Sequence, residues 1–228
     1  DIFFVLICGT KKYCFISSVK DMIMMRYVEL IIFFIVIPLV LAIYLPPKAM
    51  YPVLSISTLL GLILLHFTKG FLWRNLLGKI HFVPVISLSL ITFIFSSLLC
   101  WIILPERLWS IILTAPYMLI AIAILYPLLL VVPQELIYRV LFFERYGNLF
   151  KNQSHAVFVN AVLFSFAHLM YWHVVVWLAT FIGSFIFSYA YLKPRGFVQT
   201  CALHSLAGVA IFASGLGWLF FSGGNLAQ

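Results

Sequence analysis

Apolar residues in this chain come in long blocks, each closed by a short polar stretch, rather than alternating or keeping to one helical face. A helix that crosses a bilayer needs about 20 mostly apolar residues. Blocks of that order lie at 28–45, 51–67, 84–104, 111–143, 155–172, 173–192 and 197–216, which predicts seven spanning helices. Turn chemistry separates them at Pro46-Pro47, Pro105, Gly147-Asn148 and Lys193-Pro194-Arg195-Gly196. The break at Tyr171–His173 is tight, and its pattern fits one bent element or a short hairpin. The chain shows no internal repeat, low-complexity tract or linker. A single transmembrane domain is therefore expected over 28–228, after an N-terminal segment, 1–27. That segment opens on Asp1, has its first methionine at Met22 and lacks a signal-peptide layout, so it reads as a fragment edge or a misplaced start.

Composition agrees with the blocks. Of the 228 residues, 65% are hydrophobic and 9% charged, whereas a soluble domain carries about 25% charged residues. Aromatic residues at 18% exclude a disordered chain. The expected fold class is all-α, a polytopic transmembrane bundle. The net charge of +8 would suggest nucleic acid in a soluble protein. Here the basic residues sit between apolar blocks, where they orient helices and meet anionic lipid. The lipid bilayer is thus an expected partner and nucleic acid is not.

With a cytoplasmic N-terminus, one side holds Lys11, Lys12, Lys20, Arg26, Lys69, Arg74, Lys79, Arg145, Lys151, Lys193 and Arg195, and the other only Lys48 and Arg107. That bias predicts the N-terminus inside. Cys8, Cys14, Cys100 and Cys201 lack CxxC spacing and read as small apolar fillers or ordinary thiols.

Charged groups within a span cost several kcal/mol, about 2.5–3.5 on insertion scales, and mark functional candidates. Two stand out, Glu135 and Arg139 in Pro133-Gln-Glu-Leu-Ile-Tyr-Arg139, with Gln134 alongside. Their i,i+4 spacing puts them on one helical face, where they can pair. A structural ion pair that braces the bundle accounts for them equally well. His168 and His204 fall late in the fifth block and early in the seventh, and each alone fits a hydrogen-bonded core histidine. At about 1.5 Å per residue, Glu135, His168 and His204 lie about 14, 20 and 10 Å in from the same side, so they can converge. A carboxylate and a neutral imidazole sharing a water can deprotonate it for attack on a carbonyl. A second histidine can donate to the developing oxyanion.

At these residues the chain resembles the CPBP family, the CAAX proteases and bacteriocin-processing (Abi) enzymes, whose pattern is EExxxR, FxxxH and HxxxN or HxxxD on successive helices. The counterparts are Gln134-Glu135-Leu-Ile-Tyr-Arg139, Phe164-Ser-Phe-Ala-His168 and His204-Ser-Leu-Ala-Gly208, within a core of about 110–217. The resemblance implies an intramembrane glutamate-type endopeptidase of the bacterial cytoplasmic membrane, acting on a membrane-associated peptide or protein tail. It assigns Glu135 and His168 to water activation, Arg139 to bracing Glu135, and His204 to the oxyanion. Gln134 and Gly208 depart from the pattern. Gln134 stands where the family has its first glutamate, and Gly208 where it has a second oxyanion donor. Gln134 then positions the water, as in a bacterial subgroup with QExxxR, or the chain is a non-proteolytic scaffold or bacteriocin-immunity protein. No cofactor is expected. HExxH is absent, and zinc held by Glu135, His168 and His204 is the alternative.

Overall fold

The computed structural model describes residues 10–193 and 196–220. Among them there is no strand, and seven helices are long and apolar enough to cross a membrane. These are α1 (Asp21–Tyr44), α2 (Pro47–His66), α3 (Phe82–Ile103), α4 (Pro116–Leu149), α5 (Gln153–Tyr171), α6 (Val174–Leu192) and α7 (Gly196–Ser214). The all-α polytopic fold is therefore as expected. Residues 1–9, Pro194 and Arg195 lie outside the described residues. Among the described residues, helix runs from Thr10 to Ile31 and leads into α1.

The largest shift from the sequence pattern is at the fourth span, expected at 111–143. Ser110–Thr114 forms a separate short helix, and Ala115 leaves the helical region at φ −147°, ψ 57°. Ala115 precedes Pro116, whose ring disfavours helical geometry in the residue before it. At its other end α4 continues to Leu149, because Phe142, Arg145 and Tyr146 are buried against neighbouring helices. The break at 171–173 is a true turn between two helices. Trp172 takes the left-handed conformation (φ 48°), and His173 Nδ1 accepts the N–H of Val175 at 3.2 Å, capping α6.

Burial ranks the helices. Half of the apolar window of α7 is buried and 39% of that of α5, against 11% for α3. α7 packs along α3 and touches α6 and the first half of α4, while α2 packs on the second half of α4. The outer faces expose Leu59, Ile94, Phe95, Ile120 and Ile182, side chains that acyl chains solvate and water does not. Exposed Tyr44, Tyr51, Trp101, Trp109, Tyr117 and Trp172 lie at span ends that alternate onto one side of the bundle, an interfacial aromatic girdle.

Inside, the ring of Phe34 on α1 meets Tyr138, Phe142 and Tyr146 on α4 edge-on at 5.2, 5.5 and 6.0 Å. Arg145 is not a free flanking cation. Its Nε and Nη2 each donate to Glu29 at 2.7 Å, and its Nη1 reaches Thr68 Oγ1 at 3.1 Å, which ties α1, α2 and α4 together. α4 is irregular at its centre. Its turns widen to the i→i+5 pattern over Pro127–Val131 and Leu136–Tyr146, and Val132 N–H bonds to Pro127 O. Pro127 and Pro133 have no N–H to offer the usual ladder. Wide turns of this kind concentrate at functional sites. Gln134 and Glu135 sit on the tighter stretch between them, Val132–Glu135.

Candidate active site

Glu135 and Arg139 are completely buried, with Arg139 Nε 3.3 Å from Glu135 Oε2, as their i,i+4 spacing predicts. The other carboxylate oxygen, Oε1, lies 2.8 Å from Nδ1 of His204 on α7. A third helix completes the cluster. Arg139 Nη1 donates to Asn160 Oδ1 on α5 at 2.7 Å, and Asn160 Nδ2 donates to the Tyr138 carbonyl at 2.6 Å. Ser188 and Ser184 on α6 donate to the same Asn160 oxygen at 3.0 and 3.3 Å. Aromatic faces close the cluster. The guanidinium of Arg139 lies 4.9 Å over Phe164, and His204 stacks on Phe187 at 4.7 Å. Such a network offsets part of the cost of burying two charges, since every helix around it contributes a polar partner. Glu135 Oε2 and Arg139 Nη2 still make no hydrogen bond among the described residues. Buried polar atoms of native proteins are rarely left so, which makes this a place for water or a polar ligand.

His168 and Gln134 occupy the adjoining space. Both line a cavity of about 70 Å³ whose apolar wall comes from α1 and α2, including Phe33, Ile37, Leu41, Met50 and Val53. His168 caps the end of the regular part of α5, and its Nδ1 lies 2.7 Å from the Phe164 carbonyl. A carbonyl only accepts, so Nδ1 carries the hydrogen and the lone pair of the neutral ring is on Nε2. The rings of His168 and His204 both pack on Phe164, at 4.7 and 5.8 Å between centroids. The structure thus joins Glu135 to Arg139 and His204, and His168 to Gln134 across one cavity. Glu135 and His168 share no hydrogen bond.

Gly208 is buried one turn beyond His204, and a Cβ there would stand 2.5 Å from the hydroxyl oxygen of Tyr126. The absent side chain is therefore a packing requirement: α4 fills its place with a phenol. For zinc the arrangement fits poorly. Among the described residues no three His, Cys, Asp or Glu side chains converge, and Glu135 Oε1 and His204 Nδ1 face each other rather than a common centre.

Sequence reasoning passed over Asn160, Ser184, Ser188 and Tyr126. Asn160 had a visible signal, a lone amide in the apolar run Val157-Phe-Val-Asn160-Ala-Val. The serines had a weaker one, an i,i+4 pair on the next helix.

A buried acid, arginine and histidine converging among seven membrane-crossing helices define a multi-pass membrane protein with an intramembrane polar site. Residues 116–210 match the family model described as Rce1-like, type II CAAX prenyl endopeptidase. That segment holds every residue of the cluster, and its match supports a likeness to the CAAX-protease (CPBP) family, a family of proteases. Comparisons with curated proteins and with solved structures find no match.

Proposed function

We propose that this protein is an intramembrane endopeptidase that hydrolyses a peptide bond in a membrane-associated peptide or protein tail, in a cell's cytoplasmic membrane. The observation that carries the reading is the pairing of two differently committed histidines around one aromatic ring. His168 has its Nδ1–H engaged by the Phe164 carbonyl, leaving Nε2 available to accept a proton in the cavity that it shares with Gln134. His204 has its Nδ1 engaged by Glu135.

The roles follow. A water held by the Gln134 amide gives a proton to His168 Nε2, and its oxygen attacks the substrate carbonyl carbon. The oxyanion forms beside His204, which donates from Nε2 as the imidazolium, its Nδ1–H held by the Glu135 carboxylate. On collapse the C–N bond breaks, and His168 returns the proton to the leaving amine. Glu135 then acts through His204 rather than on the water, and Arg139, clamped by Asn160, fixes the carboxylate. In the role expected from the motif alone, Glu135 would share the water with His168 directly. Its full burial and its bond to His204 favour the indirect role. The apolar wall of the cavity suits a substrate that arrives from the bilayer. No cofactor enters the scheme.

The complete burial of Glu135 also favours a second reading, a non-proteolytic scaffold or immunity protein in which the cluster only braces the bundle. Cleavage of quenched-fluorescent membrane-tail peptides by the purified protein separates the two. Under the peptidase reading, His168→Ala and His204→Ala each lower turnover by about 10²-fold or more, and a chelator leaves it unchanged. No cleavage by the wild type, with function in cells retained by both variants, refutes it. Loss with chelator and rescue by zinc would refute the metal-free scheme.

A further inference from the structure

The hydroxyl of Tyr126 is a polar group that the Glu135 cluster does not use. Its ring stands edge-on to His204 at 6.1 Å and to Phe212 at 5.7 Å, so the phenol is wedged between α4 and α7. Gly208 lies four residues after His204, on the same face of α7 and one turn away. The Tyr126 hydroxyl oxygen is 2.5 Å, and Cζ 2.7 Å, from the point a Cβ of residue 208 would occupy. Position 208 thus presents bare backbone, and the phenol supplies the polar group at that point of the His204 face. Among the described residues this hydroxyl has no hydrogen-bond partner. Tyr126 is only partly buried, so an incoming acceptor can reach its hydroxyl. The phenol ring is fixed against His204 and its donor is unspent, which is the arrangement expected of a group whose acceptor arrives with the substrate.

We propose that Tyr126 is a catalytic residue whose O–H donates to the carbonyl oxygen of the scissile amide, beside His204. The bond shortens as negative charge builds on that oxygen, and the phenol keeps its proton throughout. The inference rests on the peptidase reading above. It assigns a role to a residue outside the motif pairings and explains why position 208 carries no side chain.

The test uses the full chain in lipid nanodiscs with a quenched-fluorescent membrane-tail peptide. Tyr126→Phe keeps the ring and removes only the donor. It is expected to lower kcat by about 10²-fold, with KM within about threefold and an unchanged melting temperature. Gly208→Ala drives a methyl into the phenol and is expected to lower kcat similarly. The double variant should be no worse than Gly208→Ala alone, because both changes remove one interaction. A Tyr126→Phe enzyme within twofold of wild-type kcat overturns the proposal and leaves the peptidase reading standing. So does a loss confined to KM, or one that tracks a fall in melting temperature, since either assigns Tyr126 to packing. A wild type that cleaves no peptide overturns both.

Discussion

Asn160→Ala tests the polar cluster without any assumption about catalysis. Asn160 is completely buried and holds three helices to one point: Arg139 on α4, Ser184 and Ser188 on α6, and its own α5. Truncation removes the 2.7 Å bond from Arg139 Nη1, leaving that nitrogen only the Tyr138 carbonyl at 3.3 Å. A hydrogen bond to a charged group contributes about 1.5–3 kcal/mol. The Asn160–Tyr138 and Ser188–Asn160 bonds are neutral interhelical or local bonds, which in membrane proteins average about 0.6 kcal/mol each. Together these put the loss near 3 kcal/mol, most of it from the guanidinium. Asn160→Asp keeps an acceptor in place and gives Arg139 a second anion, so it should lose less than Asn160→Ala. Ser188→Ala should lose no more than about 1 kcal/mol. The assay is reversible unfolding in mixed micelles against denaturing detergent, compared as midpoint shifts at constant slope. An Asn160→Ala variant within about 0.5 kcal/mol of wild type would refute the reasoning, because surface-like substitutions stay in that range.

Other substitutions probe the rest of the frame. Glu29→Ala strips Arg145 of both its 2.7 Å carboxylate contacts and should destabilise by about 2–3 kcal/mol in the same assay, with Glu29→Ala/Arg145→Ala recovering part of the loss. An additive double variant would refute the pairing. Gly215, just beyond α7, has φ 95°, and a Cβ there would meet the Arg107 carbonyl, so Gly215→Ala should lose more than about 2 kcal/mol or fail to fold. Melting temperature measures it, and a neutral result would mean that the Arg107 loop yields freely. His168→Gln keeps a polar side chain in the cavity but no proton acceptor of imidazole strength, and turnover should fall by about 10²-fold or more with little change in melting temperature.

The spans were legible because hydrocarbon leaves a chain only one cheap solution, helices that satisfy their own backbone, and prolines mark where they stop. The Glu135–Arg139 contact was legible for the same local reason, one helical turn. What could not be read locally was which of the other polar residues each partner would choose. His204 lies 69 residues from Glu135, and Asn160 lies 21 from Arg139. Those meetings depend on the rotation of α5 and α7 about their axes, which apolar blocks without a polar face leave undetermined. Arg145 shows the same limit. Its position near a span end reads as a lipid-facing cation until Glu29 on α1 is brought beside it. The wide turns of α4 were illegible as well, although Pro127 and Pro133 mark the stretch where its backbone ladder lacks donors.

Between those turns, two consecutive residues meet different neighbours. Successive residues of a helix point about 100° apart, and here Gln134 and Glu135 turn toward different neighbours. α4 faces α7 and α5 with one side of this stretch and the cavity bordered by α1 and α2 with the other. Glu135 takes the first side and is sealed against His204 and Arg139, while Gln134 takes the second and lies with His168. A charged residue at 134 would put an anion against a wall of Phe33, Ile37 and Leu41 without the arginine that Glu135 has. An amide at that position costs less to bury and still offers a donor and an acceptor to a water. The division places the charged residue where partners surround it and the neutral amide in the cavity, which under the peptidase reading is where the substrate arrives. Under the peptidase reading, Gln134 suits the cavity as it stands and is not a lost glutamate.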